Sequence, residues 1–299
     1  MNAKPILVAG GTGRLGTQIV HLLTARGLSV RVLTRDLAHA AHLQGPLVEV
    51  VQGDVRDQHT VEQAVAGAGT VISAVHGFGG TNGSNPRTVD QQGNSHLIKA
   101  AQTNDVEHFI LMSIQGAAAD HPMELFRMKY RAEQELRSSS LHWTIIRPTA
   151  YIETWATLVG EPLLKKGKTT IFGRGDNPIN FVSVYDIARF VELAVTDPEM
   201  RGVNVEVGGP ENLSMRQVVQ TFDMVLGKHG TVNSVPVPLM RLMTMLMRLV
   251  KPAIASQIQA GILMDTLNMS FDSTETSRRY PSIALTNWAG AVRRDYVLK

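Results

Sequence analysis

The run Gly10-Gly11-Thr12-Gly13-Arg14-Leu15-Gly16 constrains this chain more than any other feature, because it joins an apolar run, Ile6–Ala9, to a helical pattern, Leu15–Ala25. Glycines three apart at a strand-to-helix junction let the backbone turn sharply, approach a pyrophosphate closely and seat the helix on the strand. The helix N-terminus then offers unpaired N–H groups and a partial positive charge to an anion. Gly10, Gly13 and Gly16 satisfy one register of such a turn and Gly11, Gly13 and Gly16 another, so spacing alone leaves both open. Thr12, Arg14 and Leu15 complete the predicted phosphate-binding segment.

The alternation continues downstream. Ser29–Thr34, Leu47–Gln52, Thr70–Ala74, His108–Met112 and Trp143–Arg147 read as short strands apolar on both faces, with helical patterns at Val89–Gln102 and Met123–Ser138 between them. Strand and helix in repetition give a parallel sheet with right-handed crossovers, so the expected fold is α/β, Rossmann-type and doubly wound. After Pro148 a Gly- and Pro-punctuated stretch, 160–178, loosens the pattern. A strand at Ile179–Val182, a helix at Tyr185–Val195, a strand at Val203–Val207 and a helix at Met215–Leu226 follow, and from Val237 the chain reads as mostly helical. The expected organisation is a nucleotide-binding domain over 1–150 with return elements at 179–210, and a smaller, mostly helical substrate or lid region over 151–299.

Composition removes several chemistries. With no cysteine among 299 residues there is no disulfide framework, thiolate nucleophile or Cys-ligated metal. His39 and His42 have no third ligand nearby and no His-Glu-x-x-His occurs, so no metal is expected. Ser113 lies outside any G-x-S-x-G elbow, and the scattered basic residues lack a nucleic-acid pattern. No apolar run reaches the length of a membrane span, and Met1–Ala9 is too short for a secretory core. The expected location is cytoplasmic, with peripheral membrane attachment as the open alternative.

The end of the second strand selects between dinucleotides. An acid there binds the ribose hydroxyls of NAD, whereas an arginine accommodates the extra phosphate of NADP. The strand ends Thr34-Arg35, and Arg14 lies in the glycine turn, so two guanidiniums can clamp a phosphate. Asp36 is either a displaced ribose ligand or the N-cap of the next helix. The balance of these residues points to NADP(H).

On these residues the chain resembles the atypical short-chain dehydrogenase/reductase superfamily, and within it the NmrA-like branch of quinone reductases, NADP-sensing regulators and assembly factors related to a complex I subunit. The resemblance rests on the glycine turn, Gly53-Asp54, Asn94, Ser113, Lys129 with the run from Trp143 to Pro148, and Asn180-Phe181-Val182-Ser183-Val184 with Asp186. It covers about the first 210 residues well and the remainder loosely. It implies that Asp54, with Val55 beside it, meets the adenine amino group and that Ala74, Val75 and His76 lie under the adenosine. Pro148 would bound the cofactor, and Ser113 and Lys129 would stand near the nicotinamide.

The chain departs from the superfamily at one position. The tyrosine that protonates the carbonyl oxygen stands four residues before the lysine, and here that residue is Leu125. Tyr130 is about 100° around the helix from Lys129 and cannot replace it. The expected function is hydride transfer to a small apolar carbonyl or quinone-like acceptor without the Tyr–Lys pair, with Lys129, Ser113 or Tyr151 as candidate catalytic groups. Tyr151, Trp155 and Phe172 are candidate walls for the acceptor. The alternative is a non-catalytic NADP(H)-sensing regulator or assembly factor.

One segment more than accounts for the net charge of +3: from Met224 to Met264 there are Lys228, Arg241, Arg248 and Lys251 and no acid, leaving the rest of the chain at −1. Arg241, Thr244, Arg248 and Lys251 form a polar stripe on an otherwise Leu- and Met-rich helix, so 239–264 is the expected contact for a membrane surface or protein partner.

Overall fold

The computed structural model describes residues 4–80, 83–227 and 229–298; Lys228 lies outside them. Its strands are β1 (Ile6–Ala9), β2 (Val30–Thr34), β3 (Val48–Gln52), β4 (Thr70–Ser73), β5 (His108–Met112), β6 (His142–Pro148), β7 (Ala150–Tyr151), β8 (Lys168–Phe172), β9 (Ile179–Val182), β10 (Val203–Val207), β11 (Asn212–Leu213) and β12 (Thr231–Val235). The α-helices are α1 (Arg14–Ala25), α2 (Gln58–Val65), α3 (Asn94–Thr103), α4 (Glu124–Arg137), α5 (Ile152–Trp155) and α6 (Glu161–Lys166). They continue with α7 (Val184–Thr196), α8 (Met215–Leu226), α9 (Val237–Val250), α10 (Pro252–Thr266), α11 (Thr274–Arg279) and α12 (Trp288–Tyr296).

The chain divides into two compact units, the first comprising the residues up to Pro148 plus Ile187–Glu206, the second Thr149–Asp186 plus Val207 onward. In the first unit a seven-stranded sheet has the order β10-β6-β5-β4-β1-β2-β3. The pairings among β1 to β6 are parallel. Strand order reverses between β1 and β4, the switch point outside which doubly wound sheets bind ligands. β-Branched and apolar residues on both faces bury the sheet: Leu7, Val71, Phe109, Leu111 and Ile145 pack on Leu97, Ala101, Ala132 and Leu136 of α3 and α4. Only Ile187–Glu206, rather than the whole of 179–210, belong to this unit.

In the second unit β9 pairs with β7 in parallel and with β11 in antiparallel fashion, and β8 pairs with β12 in parallel. β8 is therefore an addition to the expected loop at 160–178, and β12 to the stretch between the expected helix Met215–Leu226 and Val237. The core here is aromatic. Trp288, fully buried, meets Phe181 edge-to-face at 5.2 Å and Phe222 at 6.2 Å. Buried Glu153 ties α5 to the rest, accepting from Ser183 Oγ (2.6 Å), Val184 N (2.9 Å) and Arg294 Nη2 (2.8 Å). Asp186 accepts from Thr286 N at 2.6 Å and its hydroxyl at 2.9 Å, fixing the approach to α12.

Candidate functional site

The glycine turn leaves β1 at the sheet's switch point. Gly10 has φ +87°, and a Cβ there would lie 2.6 Å from the Ala74 carbonyl oxygen, so β4 packs directly on its backbone. A side chain on Gly16 would drive into the Gly10 carbonyl, and one on Gly11 would meet Val32 Cγ1 at 2.8 Å. Gly13 differs: it is exposed, and its Cβ would meet only Gly10 O, at 3.3 Å. Gly10 and Gly16 thus make the tight turn and the helix–strand contact, while Gly13 caps α1 toward solvent. No side chain caps α1 and no acid stands in its first turn, so its leading N–H groups carry the helix's partial positive charge without a side-chain acceptor. Leu15 is buried beneath the turn, while Thr12 is half-buried and Arg14 exposed.

Arg35 and the residues after β3 form the neighbouring wall. Exposed Arg35 donates from Nη1 to Ser84 Oγ at 3.1 Å. Asp36 is the N-cap of a short 3-10 helix, Leu37–Leu43, its Oδ1 accepting from Ala38 N at 2.9 Å. Asp54 is forked by Arg56, whose Nε lies 3.0 Å from both carboxylate oxygens and whose Nη2 lies 2.6 Å from Oδ2. Partial burial raises the Asp54 pKa, but hydrogen bonds and charge from Arg56, with Arg35 adding, hold it below the usual carboxylate value. Arg56 and Ser84 were not among the expected site residues. A basic residue two positions after Asp54 was the available signal.

The two residues expected on the nicotinamide side, Lys129 and Ser113, are both buried. Lys129 is 4% exposed, and its ammonium donates to the Val75 and Met112 carbonyls, both at 2.8 Å, while lying 3.0 Å from Asp90 Oδ1. Two of its N–H groups meet carbonyls, while Asp90 Oδ1, which has no hydrogen-bond partner among the described residues, balances the ammonium as an ion pair. The other oxygen of buried Asp90 accepts from Gly77 N at 2.8 Å, and its carbonyl accepts from Asn94 Nδ2 at 2.7 Å. Lys129 therefore ties the ends of β4 and β5 to the π-helical turn Pro86–Gly93 that precedes α3. The Ser113 hydroxyl donates to buried Glu133, which is also held by Arg147 Nε (2.8 Å) and Nη2 (2.5 Å). Arg147 reaches on to Glu206 Oε1 at 3.1 Å, and these hydrogen bonds raise its pKa. Ser113 is thereby committed inward as well.

Val55 and Pro148 also have backbone roles: the Val55 carbonyl lies 2.9 Å from His96 Nδ1, and the Pro148 carbonyl accepts from Gln115 N at 2.9 Å. Ala74 N donates to Ala9 O at 2.9 Å, placing Ala74 and Val75 against the glycine turn with exposed His76 after them. The surrounding protein depresses the His76 pKa, Lys129 adding to and Asp90 opposing the effect. Tyr151 belongs to the second unit, where burial, and then the Glu153 charge, push its phenol pKa up, weakening it as an acid.

Within the second unit Trp155 and Phe172 share a cavity of about 380 Å³ with Val159, Ile171, Met215 and Met264; Tyr151 is not in its lining. Thr169 also lines it, and its buried hydroxyl has no hydrogen-bond partner among the described residues. Asp265 closes the floor by accepting from Arg174 N (2.9 Å) and Gly175 N (3.0 Å).

Comparison with known proteins places this geometry. The NmrA-like family model matches residues 2–275. An NAD(P)H azoreductase of Xenophilus azovorans is 29% identical over 224 residues, 75% of this chain and 74% of that protein. The Photosystem II assembly factor Ycf39 of Trieres chinensis is 28% identical over 251 residues, 80% of this chain and 74% of that one. The NADPH complex of the Escherichia coli NADPH-dependent quinone oxidoreductase QOR2 superposes with a TM-score of 0.77 at 18% identity, covering 97% of this chain and 99% of that one.

Proposed function

The chain belongs to the NmrA-like family, and on that footing we propose that it is an NADP(H)-dependent oxidoreductase that reduces an apolar carbonyl or quinone-like acceptor. The observation that carries this reading is the cradle at the end of β1, where no Cβ fits at Gly10 or Gly16 and the first turn of α1 has no side-chain cap. Such a cradle fits a pyrophosphate, and exposed Arg14 and Arg35 supply the charge for a 2′-phosphate, with Asp36 spent as an N-cap.

The dinucleotide, when bound, supplies the hydride. This chain's residues hold and orient: the turn from Gly10 to Gly16 holds the pyrophosphate, Arg14 and Arg35 the 2′-phosphate, and Asp54, fixed by Arg56, the adenine. The Lys129–Asp90 strut keeps the ends of β4 and β5 in place. With Leu125 in the position of the usual tyrosine and Lys129 and Ser113 committed inward, the proton on the reduced acceptor comes from solvent. That selects acceptors whose reduced anion is already stable, such as quinones and other conjugated apolar compounds. The azoreductase and quinone oxidoreductase relatives support this class. We assign the acceptor's walls to the second unit, whose Trp155 and Phe172 cavity has the volume of a small aromatic ligand site.

The burial of Lys129 and its ion pair with Asp90 favour a second reading, an NADP(H)-sensing regulator or assembly factor without turnover, supported by the Ycf39 relative. Calorimetric titration with NADPH and NADH, followed by an acceptor panel read by loss of the reduced nicotinamide's absorbance, separates the two. The enzyme reading expects turnover on a quinone or azo compound; tight NADPH binding without turnover on any acceptor decides for the second. Arg35→Ala should weaken NADPH binding about 10- to 100-fold and leave NADH unchanged. Equal loss for both cofactors removes the 2′-phosphate assignment.

A further inference from the structure

The pair α9–α10 presents an apolar surface that neither the core nor the proposed reaction uses. One side of α9 packs inward: Met240 is buried against Gly261 of α10, and Thr244, half-buried, donates its hydroxyl to the Met240 carbonyl at 2.9 Å. Thr244 thus leaves the expected polar stripe. The opposite side carries Leu239, Leu242, Met245, Leu246, Leu249 and Val250, all exposed, with Leu249 at 89% and Val250 at 70%. At 100° per residue these six fall within a continuous arc of about 140° on the helix surface. Exposed Ile254 extends the surface across Pro252 onto α10. A monomeric protein rarely leaves so continuous an apolar face to water.

The flanking charges choose its occupant. Arg241 and Arg248, seven residues apart, lie together along one edge of the arc, and Lys251 follows at the turn between the helices; all three are exposed. No acid occurs from Met224 to Met264, and the first beyond, Asp265, is buried and held by Arg174. An apolar face bordered by cations and free of acids matches a bilayer surface: Leu and Met enter the acyl boundary while guanidinium and ammonium groups meet anionic headgroups. No helix among the described residues is long and apolar enough to cross a membrane, so the contact is lateral.

We propose that the α9–α10 hairpin docks the protein peripherally on an anionic lipid surface, with Leu242, Leu246 and Leu249 inserted and Arg241, Arg248 and Lys251 at headgroup depth. The test is co-sedimentation of the full chain with vesicles of phosphatidylcholine alone and of phosphatidylcholine mixed with phosphatidylglycerol, at low and at high salt. The protein should pellet with the anionic vesicles, less so at high salt. Arg241→Gln and Arg248→Gln should each weaken that binding about fivefold. The triple variant Leu242→Glu, Leu246→Glu, Leu249→Glu should abolish it at both salt concentrations while keeping the wild-type thermal melt, because these positions face water. Wild-type protein that stays in the supernatant with both vesicle types overturns the proposal. So does light scattering that shows a dimer dissolved by the same triple variant, since the face would then be covered by a second copy.

Discussion

Lys129 Nζ and Asp90 Oδ1 lie 3.0 Å apart with both side chains out of solvent, which makes the residue at the superfamily's catalytic lysine position a strut between strand ends. Removing one partner strands the other's charge in the interior. Lys129→Met should destabilise the protein by about 3–5 kcal/mol, and Asp90→Asn added to it should recover part of the loss. Urea unfolding followed by circular dichroism measures both. Unchanged stability with lost turnover would instead assign Lys129 to the chemistry.

The glycines of the turn should separate folding from binding. Gly16→Ala places a methyl on the Gly10 carbonyl and should lower the melting temperature sharply. Gly13→Ala meets that oxygen only at 3.3 Å and should leave the melt within a few degrees. The same methyl stands in the way of a phosphate, so NADPH affinity should fall about tenfold or more, read by calorimetry.

His108 should give the first unit an acid sensitivity. Burial first, then the Arg201 charge, lowers its pKa to about 4. The Thr144 hydroxyl donates to Met200 O at 2.6 Å, so it accepts from His108 Nε2–H at 2.9 Å and the ring is held neutral. Below the unfolded pKa of about 6.5 the unfolded chain binds the proton first. The stabilisation is therefore complete above about pH 6.5 and is lost as pH falls toward 4, by about 3 kcal/mol in all. Stability measured across this range should slope for wild type and flatten in that window for His108→Gln.

Thr169 should be better replaced than kept. Its buried hydroxyl has no partner among the described residues, so the isosteric Thr169→Val removes an unsatisfied polar atom without changing volume. A gain of about 1 kcal/mol, or roughly 2 °C in melting temperature, is expected by calorimetry. Thr169→Ser should show no gain.

The first unit was legible because its strands are short and apolar on both faces and its turn is marked by glycine. β1, β5, β9, β10 and α8 begin and end where periodicity places them. β8 was hidden because Lys168-Thr169-Thr170-Ile171-Phe172 alternates inward and outward with only one aliphatic residue, between glycines that read as loop. β12 was hidden by a similarly polar run, Thr231–Val235. The glycine turn, Arg35 and Asp54 could be named from local sequence because each closely follows its strand, β1, β2 or β3. The partners of Lys129 could not, since Val75, Asp90 and Met112 are between 17 and 54 positions away and meet it only once the sheet is formed. The nearest carboxylate in sequence, Glu133 one helical turn on, belongs instead to Arg147 and Ser113.

The discontinuity of the first unit has a consequence for how the chain is made. β6 ends at Pro148, yet the strand beside it in the sheet, β10, is not synthesised until Val203–Val207, where Gly202 N also donates to Trp143 O at 2.6 Å. At about 5–20 residues per second a ribosome leaves β6 as a bare edge for roughly 3–12 s. During that interval the nascent sheet offers an open, apolar strand to any neighbouring chain. Slow or stalled translation between these strands is therefore a route to aggregation, and a truncation at residue 148 would make the exposed edge permanent.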